Sequence, residues 1–325
     1  MKFYERLDAI MKQDFGARGL LSSLPASPLA QTALSLSQAR HAILLTGFPV
    51  RLPDGSIVGE TDGPSGTANL AYALLETGCR VSVVTDFVSL PLLEAALALR
   101  VPSAELIVLP QNEPEPFIKE LVHRVKPTHF ISLERPGKAQ DGHYHNMRGE
   151  QIDDMLTDSA AFLSEAKKAG ATTIAIGDGG NEMGMGAFRA EIAAGVACGE
   201  TICAREAADL TLAGGVSNWW GWGIASLLSL RLGRSLLPSE ETEARLLRQV
   251  VLAGGVDGAT REATVTVDNL SLEVNLSVLR AVAGLTVDAL SSARKKTAKE
   301  AVLQQAEAGN GFSPDSFSSL PSESR

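Results

Sequence analysis

From about Ala42 onward, short apolar runs alternate with amphipathic stretches of helical period, and few architectures accommodate that alternation. The runs at Ala42–Phe48, Arg80–Thr85, Glu105–Leu109, His129–Leu133, Thr172–Ile176 and Leu210–Ala213 are short and rich in Ile, Val and Thr. Several show no polar alternation, as strands do when helices cover both of their faces. Between them, Thr67–Glu76 sets Leu70, Ala71, Leu74 and Leu75 on one face and stops at Gly78. Leu90–Leu99, Pro116–Val125, Ser159–Ala169, Trp219–Leu232, Ser239–Leu252 and Leu276–Leu290 read as further helices. The expected fold is α/β, a three-layer doubly wound and mainly parallel sheet with helices on both faces. Residues 1–40 form a helical cap, and residues 1–294 a single domain. Residues 295–325 form a polar tail, of which Gly309–Arg325, dominated by Ser, Pro and Gly, is expected to be disordered.

Composition excludes some functions. The chain carries 29 Lys and Arg against 38 Asp and Glu, a net charge of −9, with the basic residues scattered. Nucleic-acid binding needs a basic face, so none is expected. Cys79, Cys198 and Cys203 show no CxxC spacing and suit a reducing compartment. The N-terminus lacks the apolar core of a signal peptide, and no uninterrupted apolar stretch approaches the length of a membrane helix. The expectation is a cytoplasmic protein with no membrane contact.

Ligands of open parallel sheets bind beyond the carboxyl ends of the strands. Four such ends carry glycines beside charged or aromatic residues. The first leads to Thr46-Gly47-Phe48-Pro49 and Glu60-Thr61-Asp62-Gly63-Pro64-Ser65-Gly66-Thr67; the fourth leads to Glu134-Arg135-Pro136-Gly137 and Asn146-Met147-Arg148-Gly149. The fifth ends in Gly177-Asp178-Gly179-Gly180-Asn181-Glu182, and the sixth in Gly214-Gly215-Val216-Ser217-Asn218. Pro64 suits the first turn of a helix, leaving backbone N–H groups at Gly63, Gly66 and Thr67 for an anion. Asp62 either caps that helix or, with Glu60, holds a metal, an ammonium group or a proton. Arg135 and Arg148 are candidate clamps for substrate carboxylates, or else ion-pair partners of Glu134 and Asp141. Gly179, Gly180, Asn181 and Asn146 complete the candidate substrate site. His143 and His145 alternate as a weak metal-ligand pair, and Tyr144 either donates a hydrogen bond or packs. Trp219, Trp220 and Trp222 are expected to pack the helix that they open.

In Thr46–Pro49, Glu60–Pro64, Glu134–Gly137, Asn146–Gly149 and Gly177–Gly186, over a stretch from Asp14-Phe15-Gly16-Ala17-Arg18-Gly19 through Val256-Asp257-Gly258-Ala259-Thr260, the chain resembles the family of the C-terminal domain of D-glutamate cyclase. The resemblance implies cyclisation of D-glutamate to 5-oxo-D-proline with loss of water. Eukaryotic members carry this domain behind a second, hydro-lyase-like one, which implies such a protein as a partner. A homo-oligomer is also open.

Cyclisation asks for a proton or a cation on the γ-carboxyl group, because an ionised carboxylate is a poor electrophile. Protonating it at pH 7 costs about 3.7 kcal/mol from the ordinary Glu pKa. The acidic set Glu60, Asp62, Asp178 and Glu182 can supply protons, or Asp62, Asp178 and Glu182 can hold Mg²⁺ or Mn²⁺. Asp178 or Glu182 is the expected general base, and no organic cofactor is expected. Three rival readings stand beside this one. A haloacid-dehalogenase-like phosphatase lacks its Asp-x-Asp motif here, and a Rossmann nucleotide binder, with Asp86 on a ribose, lacks GxGxxG after the first strand. A non-catalytic amino-acid sensor or partner subunit would use the same clamps.

Overall fold

The computed structural model describes residues 2–309, with side chains described through residue 295. Six strands form one parallel sheet: β1 (His41–Thr46), β4 (Arg80–Thr85), β5 (Glu105–Val108), β6 (His129–Leu133), β7 (Thr172–Gly177) and β8 (Leu210–Ala213). Two antiparallel hairpins lie outside it, β2 (Pro49–Arg51) with β3 (Ile57–Gly59), and β9 (Thr266–Val267) with β10 (Leu270–Ser271). The sheet order is β5-β4-β1-β6-β7-β8, so the chain leaves β1 in one direction and resumes on its other side at β6. Such a reversal opens a crevice at the carboxyl ends of the two strands flanking it. Register is continuous across it, with Leu45 opposite Val84 on one side and Ser132 on the other.

Alternation along β1 shows why the sheet is covered twice. Ala42 and Leu44 point into one core with Val83, Ile131, Leu133 and Ile174, beneath α3 (Pro64–Glu76), α4 (Leu90–Arg100), α9 (Trp219–Leu232), α10 (Glu240–Leu252) and α11 (Leu272–Gly309). Ile43 and Leu45 point into the other with Phe130, beneath α5 (Pro114–Val125) and α6 (Ala161–Lys168). The cap consists of α1 (Phe3–Met11) and α2 (Leu29–Leu36), whose Leu7, Met11, Leu29 and Leu36 are buried on the α9 side. Short helices α7 (Arg189–Gly195) and α8 (Gly199–Ile202) pack on Leu20 and Leu21.

The start of α3 and the start of α9 meet almost backbone to backbone. A Cβ on Gly221 would stand 2.3 Å from the Gly66 carbonyl oxygen, so glycine is required there. This contact binds the segment after β1 to the segment after β8.

The final helix departs from expectation at both ends, running from Leu272 to Gly309 rather than over Leu276–Leu290. The polar stretch past residue 295 therefore continues the helix; of the segment expected to be disordered, residues 310–325 lie outside the described residues. Within α11, Leu272–Lys295 is by length and composition apolar enough to cross a membrane, unlike the sequence expectation. Its Val278, Leu279 and Val282 are buried in the main core, as in the core helix of a globular domain.

Candidate active site

The crevice beside β1 and β6 opens into a cavity of about 630 Å³. Its floor collects acids from distant segments: Glu60 after β3, Glu134 after β6, Asp178 and Glu182 after β7, and Asp268 between β9 and β10. Asp62 lies directly behind. Carboxylate oxygens of Asp62, Glu134 and Asp178 all fall within 4.8 Å of one another. The N-terminal segment contributes Arg18, which pairs with Asp178 and, at 2.8 Å, with Asp268.

Burial and mutual repulsion set the charge of this floor. Burial first, then Asp268 and Asp62, holds Glu60 well above the ordinary carboxylate range. Glu134 is likewise held well above it, by burial and then by Asp178 and Glu182. Asp62 is pushed up to about 7 by burial and Asp268, against the backbone N–H groups of Asn218 and Ser217. Burial raises Asp178 as well, and the Arg18 guanidinium pulls it back. Glu60 lies carboxyl to carboxyl with Glu134, and Asp62 likewise with Asp178. Buried close together, these carboxyls hold their protons more tightly than free ones do.

Glu182 behaves differently. Its Oε1 accepts the N–H groups of Asp178 (3.0 Å) and Gly179 (2.7 Å), and its Oε2 accepts that of Gly180 (2.7 Å). It folds back on its own turn and fixes the position of Asp178. Gly179 and Gly180 thus spend their amides on Glu182. Asn181 lines the cavity and donates from its side chain to the His145 carbonyl at 2.8 Å.

The helix start at Gly63, Gly66 and Thr67 is not open to an anion, which corrects the expectation. Asn218 Oδ1 accepts from Gly63 N (3.0 Å) and Gly66 N (2.7 Å), Thr67 N bonds within the helix, and all three residues are buried away from the cavity. Asp62 joins this seal, its Oδ1 accepting from Gly63 N at 2.9 Å.

Arg135 is likewise removed from the cavity. It is fully buried, donating to Asp86 (2.7 Å), the Gly47 carbonyl (3.2 Å), the Thr157 carbonyl (2.5 Å) and Ser159 (3.0 Å). Neither Glu134 nor Asp141 is its partner, and Asp86 is spent on it rather than on a ribose. Arg148 and Asn146 do line the cavity, Arg148 at its exposed mouth. His143 and His145 do not converge; they bond separately to Asp153 and Asp141. Tyr144 is buried, its hydroxyl donating to Asp158 at 2.7 Å. The three tryptophans are buried in the core.

The sequence reading passed over Arg18, Asp268 and Arg261 as site residues, and took Glu134 only as an ion-pair partner. Arg18 lay inside the motif Asp14–Gly19, where Asp14 accepts its N–H at 3.2 Å, so a signal existed. Asp268 had none, because its turn is defined by pairing across only four strand residues.

A family model described as D-glutamate cyclase-like, C-terminal, matches residues 7–283. Mitochondrial D-glutamate cyclase of Homo sapiens is 30% identical over 242 residues, which cover 68% of this chain and 38% of that protein. Among solved structures, a crystal structure of actinorhodin polyketide ketoreductase with NADPH covers 76% of this chain and 93% of its own, at 15% identity and a TM-score of 0.29.

Proposed function

The chain belongs to the D-glutamate cyclase-like, C-terminal family, and from that premise we propose that it cyclises D-glutamate to 5-oxo-D-proline at the acid floor. The observation that carries this reading is the convergence of Asp62, Glu134 and Asp178 within 4.8 Å beside a cavity whose mouth holds Arg51, Arg148 and Arg261. Acids at one end suit an ammonium group, and arginines at the other suit a carboxylate.

The reaction conserves protons overall. The substrate ammonium carries three hydrogens; one stays on the lactam nitrogen and two leave with one γ-carboxyl oxygen as water. The site must therefore move two protons from nitrogen to oxygen with no net gain or loss to solvent. Paired carboxyls that share protons are suited to that transfer. Arg18 favours negative charge on Asp178, which takes a proton from the ammonium group. Glu134 has one oxygen without a hydrogen-bond partner and holds its proton more tightly than a free carboxyl, which suits it to donate to the departing oxygen. Holding the amine against the γ-carbon in one cavity supplies the rest, since the reaction is intramolecular. Glu182 keeps Asp178 in place.

The donor set also fits a divalent cation. Asp62, Glu134 and Asp178 offer hard oxygen ligands of the kind Mg²⁺ or Mn²⁺ takes, and the unpartnered Glu134 oxygen is free to bind. When bound, such an ion would polarise the γ-carboxyl group and favour the ionised form of its carboxylate ligands.

The match spans 38% of the human relative's length, so a binding subunit acting with a hydro-lyase-like partner is the second reading. That relative is mitochondrial; for this chain, with Cys79, Cys198 and Cys203 all free, we propose a reducing compartment such as the cytoplasm. The test is incubation with D- and L-glutamate, with and without Mn²⁺ or Mg²⁺, following 5-oxoproline by chiral chromatography. The expected result is 5-oxo-D-proline from D-glutamate. Tight binding of D-glutamate without product would favour the subunit, and neither binding nor product would remove D-glutamate as the ligand.

A further inference from the structure

A glutamate that cyclises presents two unlike ends, and on the reading above only one of them reacts. Its nitrogen and γ-carbon must meet at the acids that move protons. The α-carboxylate takes no part in bond making and keeps its charge from substrate to product. A site with an acidic floor therefore needs a cation further out to hold it, or the floor would repel it.

Three arginines line the mouth, and they are not equivalent. Arg51 is committed to Asp154 at 2.6 Å. Arg148 reaches the Ala259 carbonyl at 3.3 Å, two residues from Arg261. Among the described residues, the Arg261 side chain has only a 4.0 Å approach to Glu150, too long for a hydrogen bond.

The backbone under Arg261 is built with more care than an idle surface turn requires. Its φ is +65°, a conformation that a non-glycine residue adopts at a cost of about 1 kcal/mol. The fully buried Asp257 holds it there. Asp257 Oδ1 accepts the N–H groups of Ala259 and Thr260, both at 2.9 Å, and its carbonyl accepts that of Arg261 at 2.7 Å. Its Oδ2 accepts the Asn269 N–H at 2.8 Å, so one carboxylate also fixes the turn that carries Asp268. Between them, a Cβ on Gly258 would stand 2.1 Å from Glu60 Oε2; the turn rests directly on the acid floor. Arg261 is thus held at a fixed offset from the reacting groups.

We propose that Arg261 determines specificity by binding the substrate's α-carboxylate, with Arg148 beside it and Asp257 as the positioning residue for both turns. A guanidinium on a carboxylate makes two charge-assisted hydrogen bonds, so its loss is read as about tenfold or more in affinity. The experiment compares D-glutamate with its α-carboxamide, D-isoglutamine, by calorimetry on the wild type, R261Q and R261K. Wild type is expected to prefer D-glutamate by about tenfold or more, and R261Q to lose that preference while binding the amide as before. R261K, with a charge but no fork, is expected to fall between. With its side chain 30% exposed on a surface turn, Arg261 tolerates these changes, which thermal unfolding checks. A preference for D-glutamate retained in R261Q, absent from the wild type, or lost through equal weakening of both ligands would overturn the proposal. If wild type neither binds nor converts D-glutamate, the cyclase reading fails, and the proposal falls with it.

Discussion

Arg18 and Arg135 both pair with buried acids at the same edge of the same sheet, yet they belong to different kinds of region. Arg135 is wholly buried, and four partners take up its guanidinium, Asp86 among them. It locks β4, β1 and β6 together where they end. Arg18 keeps 22% of its side chain exposed, lines the cavity and meets an excess of acids that it does not neutralise. One region has its donors filled by the fold; the other keeps a partly exposed guanidinium among acids at a cavity. The lesson is that an arginine after a strand becomes a clamp or a bolt according to how many of its donors the fold has already used.

Breaking the bolt should cost the most stability. Arg135→Met leaves Asp86 buried without its partner, and the expected loss is about 3–5 kcal/mol, measured by urea unfolding. A loss below about 1 kcal/mol would put Arg135 in the same class as an exposed ion pair.

The acid floor should show itself in the pH dependence of stability. A carboxyl that holds its proton more tightly when folded makes the folded state bind more protons, so stability falls as pH rises. For Asp62 the window runs from its ordinary value near 3.8 up to about 7. In the presence of a chelator, unfolding free energy should decline across that window, and Asp62→Asn should flatten part of the decline. A profile that rises through this range would mean that the floor is ionised and compensated.

A smaller effect is expected at the seal between the two regions. Asn218→Ala removes the acceptor for Gly63 N and Gly66 N, and should destabilise by about 1–2 kcal/mol, as for loss of a helix cap. Thermal unfolding reads it directly. Anion binding gained at the start of α3 in that variant would sharpen the comparison, since the subsite read from the sequence would then exist once uncapped.

Much of the fold was legible because burial on both faces writes itself into sequence as short apolar runs, several without alternation, and the six runs read from the sequence are the six sheet strands, the edge strand β5 being the least buried. The motifs after those strands did gather at one edge, where Glu60, Asp178, Asn146 and Arg148 share a cavity. What stayed hidden depends on partners far away in the chain. The start of α3 reads as an anion site until Asn218, 155 residues later, fills it. Arg135 reads as a clamp until Asp86, Thr157 and Ser159 close around it. Arg18 and Asp268 acquire meaning only through Asp178, 160 residues from Arg18. The β9–β10 hairpin is too short to leave a periodic signal, and the polar end of α11 has no apolar stripe to announce it.

The central claim, that the floor around Asp178 does chemistry rather than holding the fold, is tested most directly by measuring turnover and stability on the same Asp178→Asn protein. The account predicts that formation of 5-oxo-D-proline falls by about two to four orders of magnitude. Unfolding free energy should stay level or rise, because a buried charge among like charges has gone. Full turnover in that variant, or collapse of its stability with turnover per folded molecule intact, would contradict it.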